Sequence, residues 1–342
     1  MKRSFVTLLK LSGVLETSRL LHRRKLVIVT YHGVLSSRAE TDGFTSRNFV
    51  DRERFRGQME YLAARHAVLP LAEAVTRLRD GSLPDHSACV TFDDGFRNNL
   101  SVAGPILREF RVPCTIFLTT GHIGTKQSLL WTEEVALRVA RAPTARISIP
   151  GGGTLATTGA PARAVAAREL VRRLKALPGP ERQVWLQRLR AELEITDVDF
   201  ENARERYEFL SWEEVAEAAP AWVTWGAHTV SHPILSTLSE DDARREIEAS
   251  RRDVERGSGR TCDLFAYPNG MARDFGPRER RLVESAGYRA AVSQIPGANG
   301  PNADHFALRR INIGLGHGDD IFQAQLSGLW PLLRRLGGRV RS

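Results

Sequence analysis

Ala88-Cys-Val-Thr-Phe92, followed at once by Asp93-Asp94-Gly95, is the stretch whose reading decides the fold. A continuous apolar and β-branched run of this length is a strand buried on both faces, and such strands belong to parallel sheets or barrels covered by helices. The pattern recurs along the chain. Leu26–Thr30 ends at Tyr31-His32-Gly33, Cys114–Leu118 follows Pro113, and Trp222–Ala227 ends at His228. Leu264–Tyr267 runs into Pro268-Asn269-Gly270, and Arg289–Ser293 and Leu308–Ile313 complete the series.

Helical spacing fills the intervals. Phe55, Met59 and Leu62 mark a helix over about Asp51–Ala64, and others are expected at Leu71–Leu78, Asn99–Glu109, Glu240–Arg256 and Pro277–Ala286. Ser211 opens one more, Trp212–Ala218, with Glu213 and Glu214 in its first turn, where carboxylates favour the helix dipole. Strand and helix in alternation predict an α/β fold on a parallel sheet or barrel. The rhythm breaks at about 141–207. There Arg146–Pro150 and Thr154–Thr157 read as a small hairpin around Gly151-Gly-Gly153, and two charged helices follow at about Ala162–Leu177 and Pro180–Leu193. This mainly helical insertion carries no catalytic motif and reads as a lid or partner surface.

The chain has 342 residues, 42% apolar and 26% charged, the balance of an ordinary globular protein. Its formal charge, 49 − 40 = +9, favours anionic surroundings, but Lys and Arg are not spaced as in a known nucleic-acid reader, so no nucleic-acid partner is expected. Cys89, Cys114 and Cys262 have no metal-type spacing and read as buried free thiols, which favours a reducing compartment. Basic, partly apolar segments at 1–24 and 326–342 flank a domain over 25–325. Phe5, Leu8, Leu11 and Leu15 could lay the first on a membrane surface, or pack it on the protein's own core. Lys10 interrupts any signal-like apolar run, and no stretch approaches the roughly 20 residues of a membrane span. The expected location is cytoplasmic or at the inner face of a membrane.

Three polar clusters sit just after apolar strands: Thr91-Phe-Asp-Asp-Gly95, His228-Thr-Val-Ser-His232 and Tyr267-Pro-Asn-Gly270. The C-terminal strand ends of a parallel barrel form one rim, so residues distant in sequence meet there. His228 and His232 are spaced i, i+4, and a helical turn would put both imidazoles on one face. Two neutral imidazoles and a carboxylate suit Zn²⁺ with a position left open. Each motif has a plainer reading: a His pair can be a cap plus a surface residue, and Asp-Asp-Gly is ordinary turn chemistry. Their shared placement favours a site. Adjacent carboxylates at a strand end can divide the work, one holding the ion and the other acting as base.

On Thr91-Phe-Asp-Asp-Gly95, His228-Thr-Val-Ser-His232-Pro233 and Phe265-Ala-Tyr-Pro-Asn-Gly270, the chain closely resembles the polysaccharide deacetylases, carbohydrate esterase family 4, with a NodB-homology domain. The resemblance covers about Leu26–Ala140 and Phe209–Phe322 and implies a distorted (β/α) barrel. It implies Asp93 as catalytic base, Asp94, His228 and His232 as ligands of one divalent metal, most simply Zn²⁺, and the backbone N–H of Asn269, with Tyr267 beside it, in the oxyanion and substrate region. The general acid departs from the commonest pattern: the Leu308-Arg-Arg-Ile-Asn-Ile-Gly run lacks the late His. Val29-Thr-Tyr-His-Gly33 instead resembles the early Tyr-His element of bacterial exopolysaccharide-type deacetylases, so His32 is the expected acid, ahead of His317 and His305. An arginine usually found beside the base is absent from the Phe265–Tyr267 region, and Arg310 is expected to supply its charge.

The resemblance implies hydrolysis of N-acetyl groups on N-acetylhexosamine units of a polysaccharide, oligosaccharide or lipid-linked glycan, releasing acetate, in exopolysaccharide or cell-envelope synthesis. An O-acetyl esterase on an acetylated polysaccharide and a non-catalytic carbohydrate-binding barrel are the alternatives. Trp131 and Trp225 could stack on a sugar ring, although core packing is the simpler expectation.

Overall fold

The computed structural model describes residues 14–37, 48–125, 128–218, 222–316 and 318–328. Helix α1 (Val14–Leu21) leads into strand β1 (Val27–Tyr31). Short strands β2 (Gly33–Leu35) and β3 (Phe49–Asp51) then pair in parallel. There follow α2 (Arg52–Arg65), β4 (Ala67–Val68), α3 (Leu71–Asp80), β5 (Ser87–Phe92), α4 (Asn98–Ser101), α5 (Ala103–Glu109), β6 (Cys114–Leu118) and α6 (Trp131–Ala140). The insertion comprises β7 (Arg146–Ser148), β8 (Thr154–Ala156), α7 (Ala160–Lys175), α8 (Gly179–Glu192) and α9 (Asp197–Tyr207). The series ends with α10 (Trp212–Glu217), β9 (Val223–Ala227), α11 (Glu240–Ser258), β10 (Leu264–Ala266), α12 (Pro277–Ser285), β11 (Ala290–Pro296), β12 (Leu308–Asn312) and α13 (Asp319–Leu326).

Backbone hydrogen bonds join β1, β5, β6, β9, β10, β11 and β12, in that order and all in parallel, into a closed seven-stranded barrel. Thr30 closes the ring, paired with Thr91 on one side and Asn312 on the other. Closure removes exposed sheet edges. β4 pairs with Ser87 and Ala88, along the part of β5 that β6 does not reach.

Alternation divides each strand between two cores. Val27, Val29, Val90, Phe92, Ile116, Leu118, Phe265 and Ala291 face the surrounding helices. Ile28, Cys89, Phe117, Ala266, Val292 and Leu308 fill the lumen, and Leu71, Ala74, Val75 and Leu78 of α3 plug it at the N-terminal strand ends. Gly226 makes room for this filling: a Cβ there would lie 2.4 Å from the Phe117 ring. With one end plugged, the C-terminal rim is the open mouth.

Local departures from the sequence reading have local causes. The helix expected over Asn99–Glu109 is two helices, α4 and α5, because Pro105 has no N–H to offer the Ser101 carbonyl. The insertion holds a third helix, α9, opened by a reciprocal cap between Thr196 and Asp199. Leu170, Leu174, Leu186 and Leu189 of the insertion pack with Trp131 and Val135 of α6 in an apolar cluster separate from the barrel cores. Glu134 fastens α8 to α6 by accepting two hydrogen bonds from Arg190, both 2.8 Å. Of the basic ends, Phe5, Leu8, Leu11 and 329–342 lie outside the described residues. Leu15 is buried, and Ser18 Oγ donates to the Ser327 carbonyl at 2.7 Å, so α1 packs on the body. Among the described residues, no helix is long and apolar enough to cross a membrane.

Candidate active site

The parallel strands deliver His32 after β1, Asp93 and Asp94 after β5, His228 after β9 and Asn269 after β10 to the same rim. Strict alternation would send Asp93 and Asp94 to opposite sides. Asp94 escapes it by adopting a left-handed backbone, φ 74°, and both carboxylates turn to the mouth. Thr229 (66°), His232 (56°) and Asn269 (58°) share that conformation. It costs about 1–3 kcal/mol for a residue with a Cβ and is least natural for a β-branched threonine. Strain therefore concentrates around one centre.

The loop between the two histidines is not the helical turn expected from their i, i+4 spacing. Thr229 reverses the chain, its Oγ1 accepts the His232 N–H at 3.1 Å, and Glu246 of α11 accepts from the N–H groups of Val230 (2.7 Å) and Ser231 (3.0 Å). The imidazoles still converge, with ring centroids 4.9 Å apart.

Asp93 is buried and fully engaged. Arg310, itself 0% exposed, donates from Nη1 to Oδ1 at 2.7 Å and from Nη2 to Oδ2 at 2.6 Å. Gln294 of β11 donates to Oδ2 at 2.8 Å. Burial alone would raise the pKa of Asp93, but the guanidinium overrides it and holds the carboxyl well below the usual range. Arg310 is fixed in turn by the Ser293 carbonyl (2.8 Å), by Thr91 Oγ1 (3.2 Å) and by the Phe117 ring below it. Asp93 is thus an ionised acceptor in a place where an unpaired carboxylate would be neutral.

Asp94, His228 and His232 have a different character. Asp94 Oδ1 lies 3.6 Å from His228 Nε2 and 3.5 Å from His232 Nε2. Those separations are too long for hydrogen bonds. They suit donors sharing an ion, since ligands at about 2.1 Å around a tetrahedral centre sit roughly 3.4 Å apart. Asp94 Oδ1 is buried without a hydrogen-bond partner, and all three ligand atoms lie within 4.8 Å of one another. Burial, helped by Glu133 and Asp93, pushes Asp94 well above the ordinary carboxylate range, and burial lowers both histidines. A buried carboxyl with neutral imidazoles is the donor set a divalent cation stabilises. The Nδ1 of His228 bonds the Ala266 carbonyl at 2.7 Å, which leaves Nε2 as the ligand atom.

His32 is half-buried beside this centre. Its pKa is lowered from 6.5 to about 4 by burial, against the pull of Asp93. Asn269 stands at the rim with Nδ2 buried and unpartnered. Tyr267 is not part of the site, contrary to expectation: it faces the helices, stacks on Phe275 at 4.0 Å and donates to the Phe306 carbonyl. Ala266 is the lumen residue, so the next must point outward. His305 lies at the plugged end, near Arg79, and His317 lies outside the described residues. Trp131 and Trp225 are core residues. Gln294 was not anticipated, although alternation from Ala290 and Val292 predicts that it faces the lumen. Glu133 of α6 and Lys175 of α7 also act electrostatically on the site, and nothing in the local sequence announced them.

The family model described as polysaccharide deacetylase matches residues 80–148 and 190–291, half of the chain, on either side of α7 and most of α8. The poly-beta-1,6-N-acetyl-D-glucosamine N-deacetylase of Staphylococcus epidermidis is 30% identical over 104 residues, which are 30% of this chain and 35% of that protein. The chain therefore spans about a third of that relative's length. Among solved structures, the Streptococcus pyogenes deacetylase PplD in complex with acetate superposes with a TM-score of 0.58 at 17% identity, covering 88% of this chain and 98% of its own. IcaB from Ammonifex degensii gives 0.55 at 18% identity, covering 89% and 98%. At these identities the superpositions establish the fold.

Proposed function

We propose that this chain, which belongs to the polysaccharide deacetylase family, hydrolyses N-acetyl groups on N-acetylhexosamine units of a polysaccharide, oligosaccharide or lipid-linked glycan, releasing acetate. The carrying observation is the side-by-side placement of two unlike carboxyls. Asp93 is held ionised by Arg310, and Asp94 shares a metal-sized space with His228 and His232. A divalent ion, Zn²⁺ in first place from the donor set, would supply Lewis-acid polarisation of the acyl carbonyl and activation of the attacking water.

The protein's own groups do the rest. Asp93 accepts a proton from water as its oxygen attacks the acetyl carbon, and Arg310 and Gln294 keep the receiving oxygens aimed. The backbone N–H of Asn269 donates to the developing oxyanion. When the C–N bond breaks, the amine must leave protonated, and His32 delivers that proton. At rest His32 is neutral near pH 7, so the proton it donates arrives within the cycle, the one taken up by Asp93 being the nearest source. Acetate and a free amine leave, and one water is consumed.

The exopolysaccharide or cell-envelope setting rests on the early Tyr31-His32 element and on the named substrate of the staphylococcal relative. Three buried free thiols favour the cytoplasm or the inner membrane face. The neutral resting state of His32 supports a second reading, O-acetyl ester hydrolysis, because an alkoxide leaves with less help from an acid. Acetate release from a panel of N- and O-acetylated glycans with added Zn²⁺ tests both. Asp93→Asn should abolish turnover, and release unchanged in that variant would sink the assignment.

A further inference from the structure

Helix α1 packs on the body through one face and leaves the other bare. Leu15 and Ser18 are buried, whereas Val14, Leu20 and Leu21 are 38%, 53% and 78% exposed. Those three make up half of the exposed large apolar side chains among the described residues. Glu16, the acid of this helix, is paired with Arg19 at 3.4 Å. The two ends of the chain meet here. Ser18 Oγ donates to the Ser327 carbonyl at 2.7 Å, and a Cβ on Gly328 would lie 2.7 Å from the His22 ring, so Gly328 sits at the C-terminal end of α1. Residue 13 adjoins Val14, about 12 Å away along the same helix. The Arg23 carbonyl accepts from the His86 N–H at 2.6 Å just ahead of β5, which places this corner at the plugged end of the barrel, opposite the mouth. Charge follows the same division. Residues 1–25 and 329–342 hold eleven basic residues and one acid, a balance of +10, while the rest of the chain holds 38 basic and 39 acidic residues, a balance of −1.

The geometry points to this corner as a docking surface for an anionic phospholipid bilayer. Leu20 and Leu21 enter the boundary between headgroups and acyl chains, and Arg23, Arg24 and Lys25, which follow them directly, meet the lipid phosphates. The sequence after Gly328 has the same mixed character: Leu332, Leu333 and Leu336 flank Arg334 and Arg335, with Trp330 just before them. A nucleic acid would answer the charge but leave the leucines in water, whereas a bilayer takes both. Docked by its plugged end, the protein holds its mouth toward the aqueous phase. This inference does not depend on the deacetylase reading.

Flotation of the full chain with vesicles of phosphatidylcholine, pure or mixed with phosphatidylglycerol, tests it. The wild type should bind the anionic vesicles about tenfold more tightly or better. Raising the salt from about 0.1 M to about 1 M, which shortens the screening length from about 10 Å to about 3 Å, should weaken that binding about tenfold. The double variant Leu20→Ser/Leu21→Ser should lose about tenfold in affinity at an unchanged melting temperature. Arg334→Ser/Arg335→Ser should lose about as much. Equal binding to the two kinds of vesicle, binding to neither, or binding undiminished by salt overturns the proposal. So does a leucine variant that binds like the wild type, which would mark adsorption by charge alone, as any acidic polymer would give. A concentration-dependent dimer in light scattering that the leucine variant loses would assign the bare face to a second copy and overturn it as well. The lipid and salt comparisons use the wild type, so they decide the matter even where a variant fails to fold.

Discussion

Arg310 grips Asp93 from a strand that is not its neighbour. β1 lies between β12 and β5, yet two guanidinium nitrogens reach the two carboxylate oxygens at 2.7 and 2.6 Å across the lumen. The planar fork spans this gap and fixes the orientation of the base, which a lysine could not do.

Arg310→Met should therefore cost about 3–5 kcal/mol, read from urea unfolding, because it strands a buried carboxylate. Burial would then raise the pKa of Asp93, and the acid limb of the activity profile should move to higher pH. A variant with native stability and an unmoved limb would show that the pair is incidental.

His32→Ala separates the two reactions. Loss of a general acid lowers amide turnover by about 10²–10⁴ and should touch an acetyl ester far less. Parallel kcat measurements on an N-acetyl and an O-acetyl oligosaccharide check this. Equal losses would assign His32 to positioning.

Zinc should raise the melting temperature of the wild type and leave Asp94→Asn and His232→Ala unmoved, since only a chain that binds the ion gains stability from it. In metal-free protein, Asp94→Asn should be neutral or stabilising, because burial and the nearby Glu133 and Asp93 already oppose its charge. Scanning calorimetry with metal analysis reads both effects.

Gly226→Ala should destabilise the barrel by about 1–3 kcal/mol or more through overpacking, as the added methyl meets Phe117. Pairing it with Phe117→Leu should recover part of the loss in melting temperature. Failure to recover any would place the strain elsewhere.

Stability should also fall on acidification. Burial lowers His66 and His122 from the ordinary 6.5 to about 4. Their folded pKa values lie below the unfolded ones, so the unfolded chain binds more protons as pH drops from about 6.5 to 4, and stability declines across that window. The Asp93–Arg310 pair, with its carboxyl depressed, is fully stabilising above the unfolded carboxyl value and weakens only at lower pH. Urea midpoints against pH should show this order. A flat profile between 4 and 6.5 would contradict it.

Much of this molecule is legible in its sequence because buried parallel strands write themselves as unbroken apolar runs. Leu26–Thr30, Ala88–Phe92 and Cys114–Leu118 could be read without structural help, and the polar residues after such runs had to share a rim. A motif is not uniformly functional along its length. Tyr267 belongs to the third cluster, but its parity along β10 sends it outward. The His228–His232 spacing pointed to a helix, whereas Thr229 and Glu246 impose an irregular turn that brings the rings together by another route. Glu133 and Lys175 were invisible for a deeper reason. Their position depends on how α6 and α7 dock, and no local periodicity encodes that.

Ring closure by β12 has a consequence for how the protein comes into being. A ribosome delivers residue 93 long before residue 310, and domains begin to condense while synthesis continues. Until the last strand zips in between β1 and β11, the nascent barrel is an open trough whose acidic heart has no counterion. Hydrolytic competence should therefore switch on late and all at once, when the final staves of the cask are set.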